Sequence, residues 1–499
     1  MTSVKTGSEL ARGAVLNVVA LIALNLRSIF TLLIAWMLGP AILGTFALAF
    51  AIVNWLSMLG TFGLDTGAMT LIARTHASGN RPHARRLLEL AVAWGLGISG
   101  LTAMMGIVVL ARLGPALHQN QTVILATSVL LLSLPATALY RISNGASRGM
   151  GVMAHDIFSR GLTETLSTIA FLLAAIAIGL RTMAPVAAVV LGSGAGGLVA
   201  FGLARSVFRG SNAGWRSEPA SLALLRFSAP VAAYGIINTL ISRMDVILLG
   251  FFVGRSDLIT IEQLGVFVAA VEIAGGMRKV RQAFEPTFGP VVARQSLAPD
   301  DTDMQESFAR LARWVLAAQL PLVGVLCLSG GVVLSVFGRG YAQGILWLGI
   351  LAVAHGTNSF VGLAETVIMV RRPGLNLVNS AVTAVLQVGC SLALISWLGV
   401  TGAALGTLVA YLTQGVLRFV ELRTLFGWTW PWRALWRPTL AAAVAFLPAL
   451  VVRVLVGGWA GEVYGGLLFL GAYLLMWKRL GLEPSDREVL AELRGARRR

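Results

Sequence analysis

Residues 242–268 read SRMDVILLGFFVGRSDLITIEQLGVFV. An arginine and an aspartate two positions apart, Arg243 and Asp245, stand inside an apolar run that stops at Gly254-Arg255-Ser256-Asp257. A second apolar run then starts at Ile261 and carries Leu264-Gly265-Val266-Phe267-Val268. Residues 26–47 read LRSIFTLLIAWMLGPAILGTFA and follow the same order. Leu26-Arg27-Ser28 leads to Met37-Leu38-Gly39, then to Leu43-Gly44-Thr45-Phe46-Ala47. The offset is 216 at the arginines and 221 at the Leu-Gly pairs. Working outward, Leu71-Ile72-Ala73-Arg74 answers Val291-Val292-Ala293-Arg294, and Ala84-Arg85-Arg86-Leu87 answers Phe308-Ala309-Arg310-Leu311. Ser147-Arg148-Gly149-Met150 faces Val370-Arg371-Arg372-Pro373. Common order at a near-constant offset predicts a two-fold internal repeat.

The composition says what is repeated. The chain has 499 residues, 57% of them hydrophobic and only 12% charged, with a mean hydropathy of +0.80. Soluble domains carry about 25% charge, so a soluble enzyme and a disordered chain are both excluded. The expectation is an all-α polytopic membrane protein. A spanning helix needs roughly 20 mainly apolar residues. Fourteen stretches qualify: about 13–38, 41–62, 86–110, 121–141, 159–180, 184–207, 226–250, 259–281, 309–336, 343–370, 374–398, 402–424, 435–456 and 460–479. The first follows Lys5 and Arg12 like a signal peptide, but its apolar character resumes after Arg27, and it reads as an uncleaved span.

The basic residues give sidedness. Of the 39 Lys and Arg, 32 fall in one alternating set of loops and termini, and five, Arg112, Arg181, Arg255, Arg339 and Arg453, fall in the other. By the positive-inside rule the first set, which includes Arg74–Arg86, Arg141–Arg160 and Arg278–Arg313, is cytoplasmic. Both termini are then cytoplasmic, as an even number of spans requires. Both repeats start on that side, so the repeat is parallel, with its axis along the membrane normal. The organisation expected is an N-terminal six-helix bundle over 1–210, a second over 211–425, helices 13 and 14 over 426–481 outside the repeat, and a basic cytoplasmic tail over 482–499. Two such bundles enclose a central substrate site near mid-membrane.

The formal charge of +17 is accounted for by these loops, which leaves no case for nucleic acid. Contact with anionic phospholipid suffices. Cys327 and Cys390 lie inside apolar runs and form no metal spacing. There is no Walker A, HExxH, paired CxxC or nucleophile elbow, so neither enzyme chemistry nor a cofactor is expected. The run Gly192-Ser193-Gly194-Ala195-Gly196-Gly197 lies in a span and reads as close helix packing. Ser329-Gly330-Gly331 reads as packing or a bend.

At these positions the residues resemble a family. Met37-Leu38-Gly39-Pro40-Ala41-Ile42-Leu43-Gly44-Thr45-Phe46 looks like the LGP-x-x-x-G-x-(Y/F) element after the first span of bacterial polysaccharide-unit transporters. Asp245-Val246-Ile247-Leu248-Leu249-Gly250, followed by Leu264-Gly265-Val266-Phe267, is similar to their seventh-span element. These transporters belong to the multidrug/oligosaccharidyl-lipid/polysaccharide exporter superfamily. That family often has a basic residue just before the LGP element, whereas Trp36 and Met37 stand here. The resemblance implies a flippase of the bacterial inner membrane. It would carry a polyprenyl-pyrophosphate-linked oligosaccharide to the external leaflet for lipopolysaccharide or exopolysaccharide assembly, with a polysaccharide polymerase and glycosyltransferases as partners.

Ionisable groups inside spans are expensive and mark function or pairing. Arg27 in the first span and its counterpart Arg243 in the seventh suit a phosphate or pyrophosphate; pairing with Asp245 or Glu272 is the plain alternative. Asn25, Asn54 and Gln414 are candidates for sugar hydroxyls, or for hydrogen bonds between helices. Asp245, Glu272 and His355 are candidates for coupling to H+ or Na+; neutralising an arginine, or packing in the case of His355, competes with that role. Trp428, Trp430, Trp432 and Trp436 read as an interfacial anchor. The rival functions are a lipid II flippase, which shares a cationic cavity, and an ion-coupled multidrug antiporter, whose cavity favours carboxylates.

Overall fold

The structure is a computed structural model that describes residues 28–116, 120–209, 220–282, 292 and 302–480. The described residues are helical throughout and contain no strand. In chain order the helices are α1 (Ser28–Leu38), α2 (Pro40–Thr61), α3 (Leu64–Ala77), α4 (Arg81–Ala116), α5 (Gln121–Leu131), α6 (Leu134–Gly149) and α7 (Ala154–Ala177). They continue as α8 (Ala184–Val207), α9 (Ala220–Phe252), α10 (Ile261–Gly276), α11 (Thr302–Ser335) and α12 (Ile345–Arg371). The last four are α13 (Pro373–Leu398), α14 (Val400–Phe426), α15 (Trp432–Val456) and α16 (Gly458–Leu480).

Twelve helical stretches among the described residues are long and apolar enough to cross a membrane, with α2–α3 and α5–α6 each forming one. The remaining two expected spans are the shorter helices α1, described from Ser28, and α10, with 16 residues. The architecture is the all-helical polytopic one expected, with about fourteen spans. Large apolar side chains such as Leu198, Val385, Leu447 and Leu455 are exposed, as a lipid-facing surface requires.

Packing divides the chain into two compact units, Met1–Gly265 and Val266–Arg499. In the first, α9 packs on α2, α3 and α4, so contacts group it with the N-terminal helices, whereas the repeat pairs it with α1. The division by contact and the division by repeat therefore differ at this helix. The second span is broken where Phe62 and Gly63 both take left-handed backbone, with φ of 50° and 67°. Gly63 sits against α9: a Cβ there would stand 2.6 Å from the Ser228 carbonyl oxygen and 2.9 Å from the Ala232 nitrogen. The glycine-rich run in α8 also packs closely. A Cβ on Gly197 would stand 3.0 Å from the Ala136 carbonyl oxygen, and Gly192 seats Thr168.

In the second unit α12 packs on α11 and α14, α13 on α14, and α15–α16 on each other and on α11. The tryptophan cluster is only half an anchor. Trp428 is buried against Phe308, and Trp430 packs edge-on between Phe308 and Phe419, closing the ends of α11 and α14. Trp432 and Trp436 alone are exposed, with the Arg437 guanidinium 5.9 Å from the Trp436 ring. The expected basic tail lies outside the described residues.

Candidate substrate-binding site

The site grows from the contact between α2 and α9. Met58 approaches α9 at Gly235, where a Cβ would lie 3.6 Å from its sulfur. Further along, the Leu48 side chain seats on Gly250. Between these two contacts lie Asn54 on α2 and Arg243 with Asp245 on α9, at one depth of an antiparallel helix pair. Asn54 and Arg243 are half-buried, and Asp245 is 6% exposed, its carboxylate accepting from the Val246 N–H at 2.8 Å. A third helix adds a cation. Arg141 of α6 is half-buried and donates from Nη1 to the Met58 sulfur at 3.4 Å. A thioether is a weak acceptor. Among the described residues no carboxylate lies within ion-pair distance of Arg141.

Arg141 was expected in a loop. Instead α6 runs on to Gly149 and places Arg141 within the helix, with about 12 Å of helix beyond it. The helix continues because its polar residues have partners. Asn144 donates to Asp156 at 2.9 Å and accepts from Ser159 at 3.0 Å, and Ser147 lies 3.0 Å from His155 Nδ1. Gly145 and Gly149 let α3 close in on the same face. The polar end of the span is thus buried helix.

The other expected residues lie elsewhere. Arg27 and Asn25 fall outside the described residues. In the second unit Glu272 is exposed on α10. His355 of α12 is 4% exposed and meets the Tyr411 ring edge-on at 5.3 Å, and its Nδ1 has no hydrogen-bond partner among the described residues. Gln414 is half-buried on α14, one turn beyond Tyr411. Nearer the helix ends Glu365 accepts from Arg418 at 2.7 Å, with Arg281 3.6 Å from the same oxygen. Glu421, which also faces Arg418, is held by Asn379 at 2.8 Å. Among the described residues no cluster of acidic, histidine and cysteine side chains could hold a metal ion.

With this geometry the relatives can be placed. Residues 10–277 match the family profile described as polysaccharide biosynthesis protein, over more than half of the chain. The chain belongs to this family. Membrane flippases and transporters of solved structure share its fold. The lipid II flippase MurJ in an inward closed conformation superposes with a TM-score of 0.69 at 11% identity, covering 93% of this chain and 98% of that one. An inward-facing multidrug resistance MATE family transporter superposes at 0.67 with 16% identity, covering 82% and 98%. A MATE transporter in a bent conformation gives 0.57 at 15% identity, covering 83% and 94%. No curated protein matches the chain significantly in sequence. The polysaccharide biosynthesis family member described here therefore has the fold of these flippases and transporters.

Proposed function

We propose that this transporter carries a polyprenyl-pyrophosphate-linked oligosaccharide from the cytoplasmic to the external leaflet of the bacterial inner membrane, by alternating access, for cell-surface polysaccharide assembly. The observation that carries the reading is Arg141. A half-buried guanidinium with a sulfur for a partner is costly unless an anion reaches it. A pyrophosphate supplies that anion and matches the guanidinium fork. Arg243 lies on a helix that packs on the same Met58 segment, and Asn54 offers a neutral donor and acceptor for sugar hydroxyls. A cationic drug would be repelled at this place. Asp245 and Glu272 are the carboxylates proposed for ion coupling, and anionic phospholipid is proposed to meet the basic loops of the cytoplasmic set.

Native mass spectrometry of protein purified from its own host tests the reading. A co-purified polyprenyl-pyrophosphate glycan, lost in Arg141→Ala and Arg243→Ala, is the expected result. Bound lipid II in place of that glycan moves the function to peptidoglycan. Bulk phospholipid alone, even with lipid-linked glycan supplied, overturns the flippase reading in favour of a cation antiporter.

A further inference from the structure

Helix α11 is broken at Ser329, whose φ of −118° and ψ of 19° leave the helical region. A break inside a span strands carbonyl oxygens on one side and N–H groups on the other, where no water can satisfy them. Here the partners come from the C-terminal helix pair. The Cys327 carbonyl oxygen accepts from Arg453 Nη1 of α15 at 2.9 Å. The Val332 N–H donates to Glu462 Oε2 of α16 at 2.8 Å. Ser329 Oγ donates to the Glu462 carbonyl oxygen at 2.7 Å. The carboxylate lies directly over Gly331, where a Cβ would stand 2.5 Å from Oε1 and 2.8 Å from Oε2. Only glycine leaves it that seat.

The signs are also matched. The half-helix before the break ends in carbonyl oxygens and takes the cation. The half-helix after it begins with N–H groups and takes the carboxylate. On the other side the break meets α12: a Cβ on Gly330 would stand 3.1 Å from Ile345 Cγ1, and the Cys327 thiol points at the Gly349 carbonyl oxygen at 3.8 Å.

We propose that the C-terminal pair α15–α16, which stands outside the repeat, is a clamp that holds the ninth span broken, with Arg453 and Glu462 as its positioning residues. Without the clamp the stranded groups recover partners only if α11 straightens. The outer half-helix Gly330–Ser335, and the start of α12 packed on it, then change direction. A span with two such arrangements is a usable element of a transport cycle. This inference does not depend on the substrate proposed above.

The test uses the full chain in detergent micelles with Cys390→Ser, so that Cys327 beside the break is the sole thiol. Glu462→Ala and, independently, Arg453→Ala are each expected to raise amide exchange across residues 327–335 and maleimide labelling of Cys327 by about tenfold or more. Exchange across 373–426 stays unchanged in both. Glu462→Gln keeps an acceptor for the Val332 N–H and stays within about twofold of the parent. If Glu462→Ala fails to fold, Arg453→Ala and Glu462→Gln decide the matter by the same readings. Exchange at 327–335 that stays within about twofold in the alanine variants, or that rises equally across 373–426, overturns the clamp.

Discussion

Gly44 and Gly265 meet backbone to backbone, and each does to the other what it has done to it. A Cβ on Gly44 would stand 2.9 Å from the Gly265 nitrogen and collide with the Ile261 carbonyl oxygen. A Cβ on Gly265 would stand 3.0 Å from the Gly44 nitrogen and collide with the Pro40 carbonyl oxygen. Pro40 and Ile261 each lie four residues before their glycine. The two Leu-Gly elements that reveal the repeat in the sequence therefore cross near one point as symmetric partners. Gly44→Ala and Gly265→Ala should each cost about 1–3 kcal/mol, because backbone cannot move aside as a side-chain tip can. Gly100→Ala, inside α4 and meeting nothing within 4 Å, is the control and should leave the melting temperature unchanged or slightly raised. Equal melting of all three variants would show that the α2–α10 crossing is loose.

Arg141→Met should keep the fold and lose the anion. The side chain is half-buried and its recorded partner is a sulfur, so an unbranched apolar replacement fills the space at little cost. Loss of one charged hydrogen-bonded contact to a phosphate is worth roughly 1.5–3 kcal/mol, about 10- to 100-fold in affinity. Titration of purified protein with a short-chain polyprenyl pyrophosphate measures it. Arg141→Lys should keep part of the affinity, since it keeps the charge but loses the fork. Unchanged affinity in Arg141→Met would remove this residue from the site.

Glu365→Ala should destabilise the second unit, by roughly 2–3 kcal/mol. Arg418 is 3% exposed and its partner carboxylate 39% exposed, so the loss falls short of that for a fully buried pair. Arg281→Ala should cost less than Glu365→Ala, since its contact with the carboxylate is longer and Arg418 keeps that carboxylate. Thermal unfolding of the three proteins ranks them, and a larger loss in Arg281→Ala would reverse the assignment.

The spans and the repeat were legible because hydropathy and motif order are properties of one chain read along its length. What was missed depends on partners distant in sequence. Arg141 read as a loop residue because the apolar run ends there. A signal was present: Ala138, Ile142, Gly145, Ala146 and Gly149 recur at helical spacing, and all five are buried. Arg453 read as a loop charge, and Glu462 stood unremarked at the start of the last span, because their partners are backbone groups of α11 that local sequence does not show. The bend at Ser329-Gly330-Gly331 was legible as a bend, but not what holds it. The tryptophans read as one anchor because local sequence cannot separate a ring that turns inward, as Trp428 does, from one that stays outside, as Trp432 does.

His355 offers a sharp choice between packing and proton transfer. Its ring is buried edge-on against Tyr411, and its Nδ1 has no partner among the described residues, which is a cost in an apolar setting. Phenylalanine has nearly the same shape, keeps the edge-to-face contact and removes the stranded nitrogen. His355→Phe should therefore melt at or above the temperature of the parent, by up to about 1 kcal/mol of added stability. Flipping of a fluorescent lipid-linked glycan into proteoliposomes should keep its rate and its dependence on pH. A stable His355→Phe protein that transports at one pH but no longer responds to a proton gradient would place the imidazole in the coupling path.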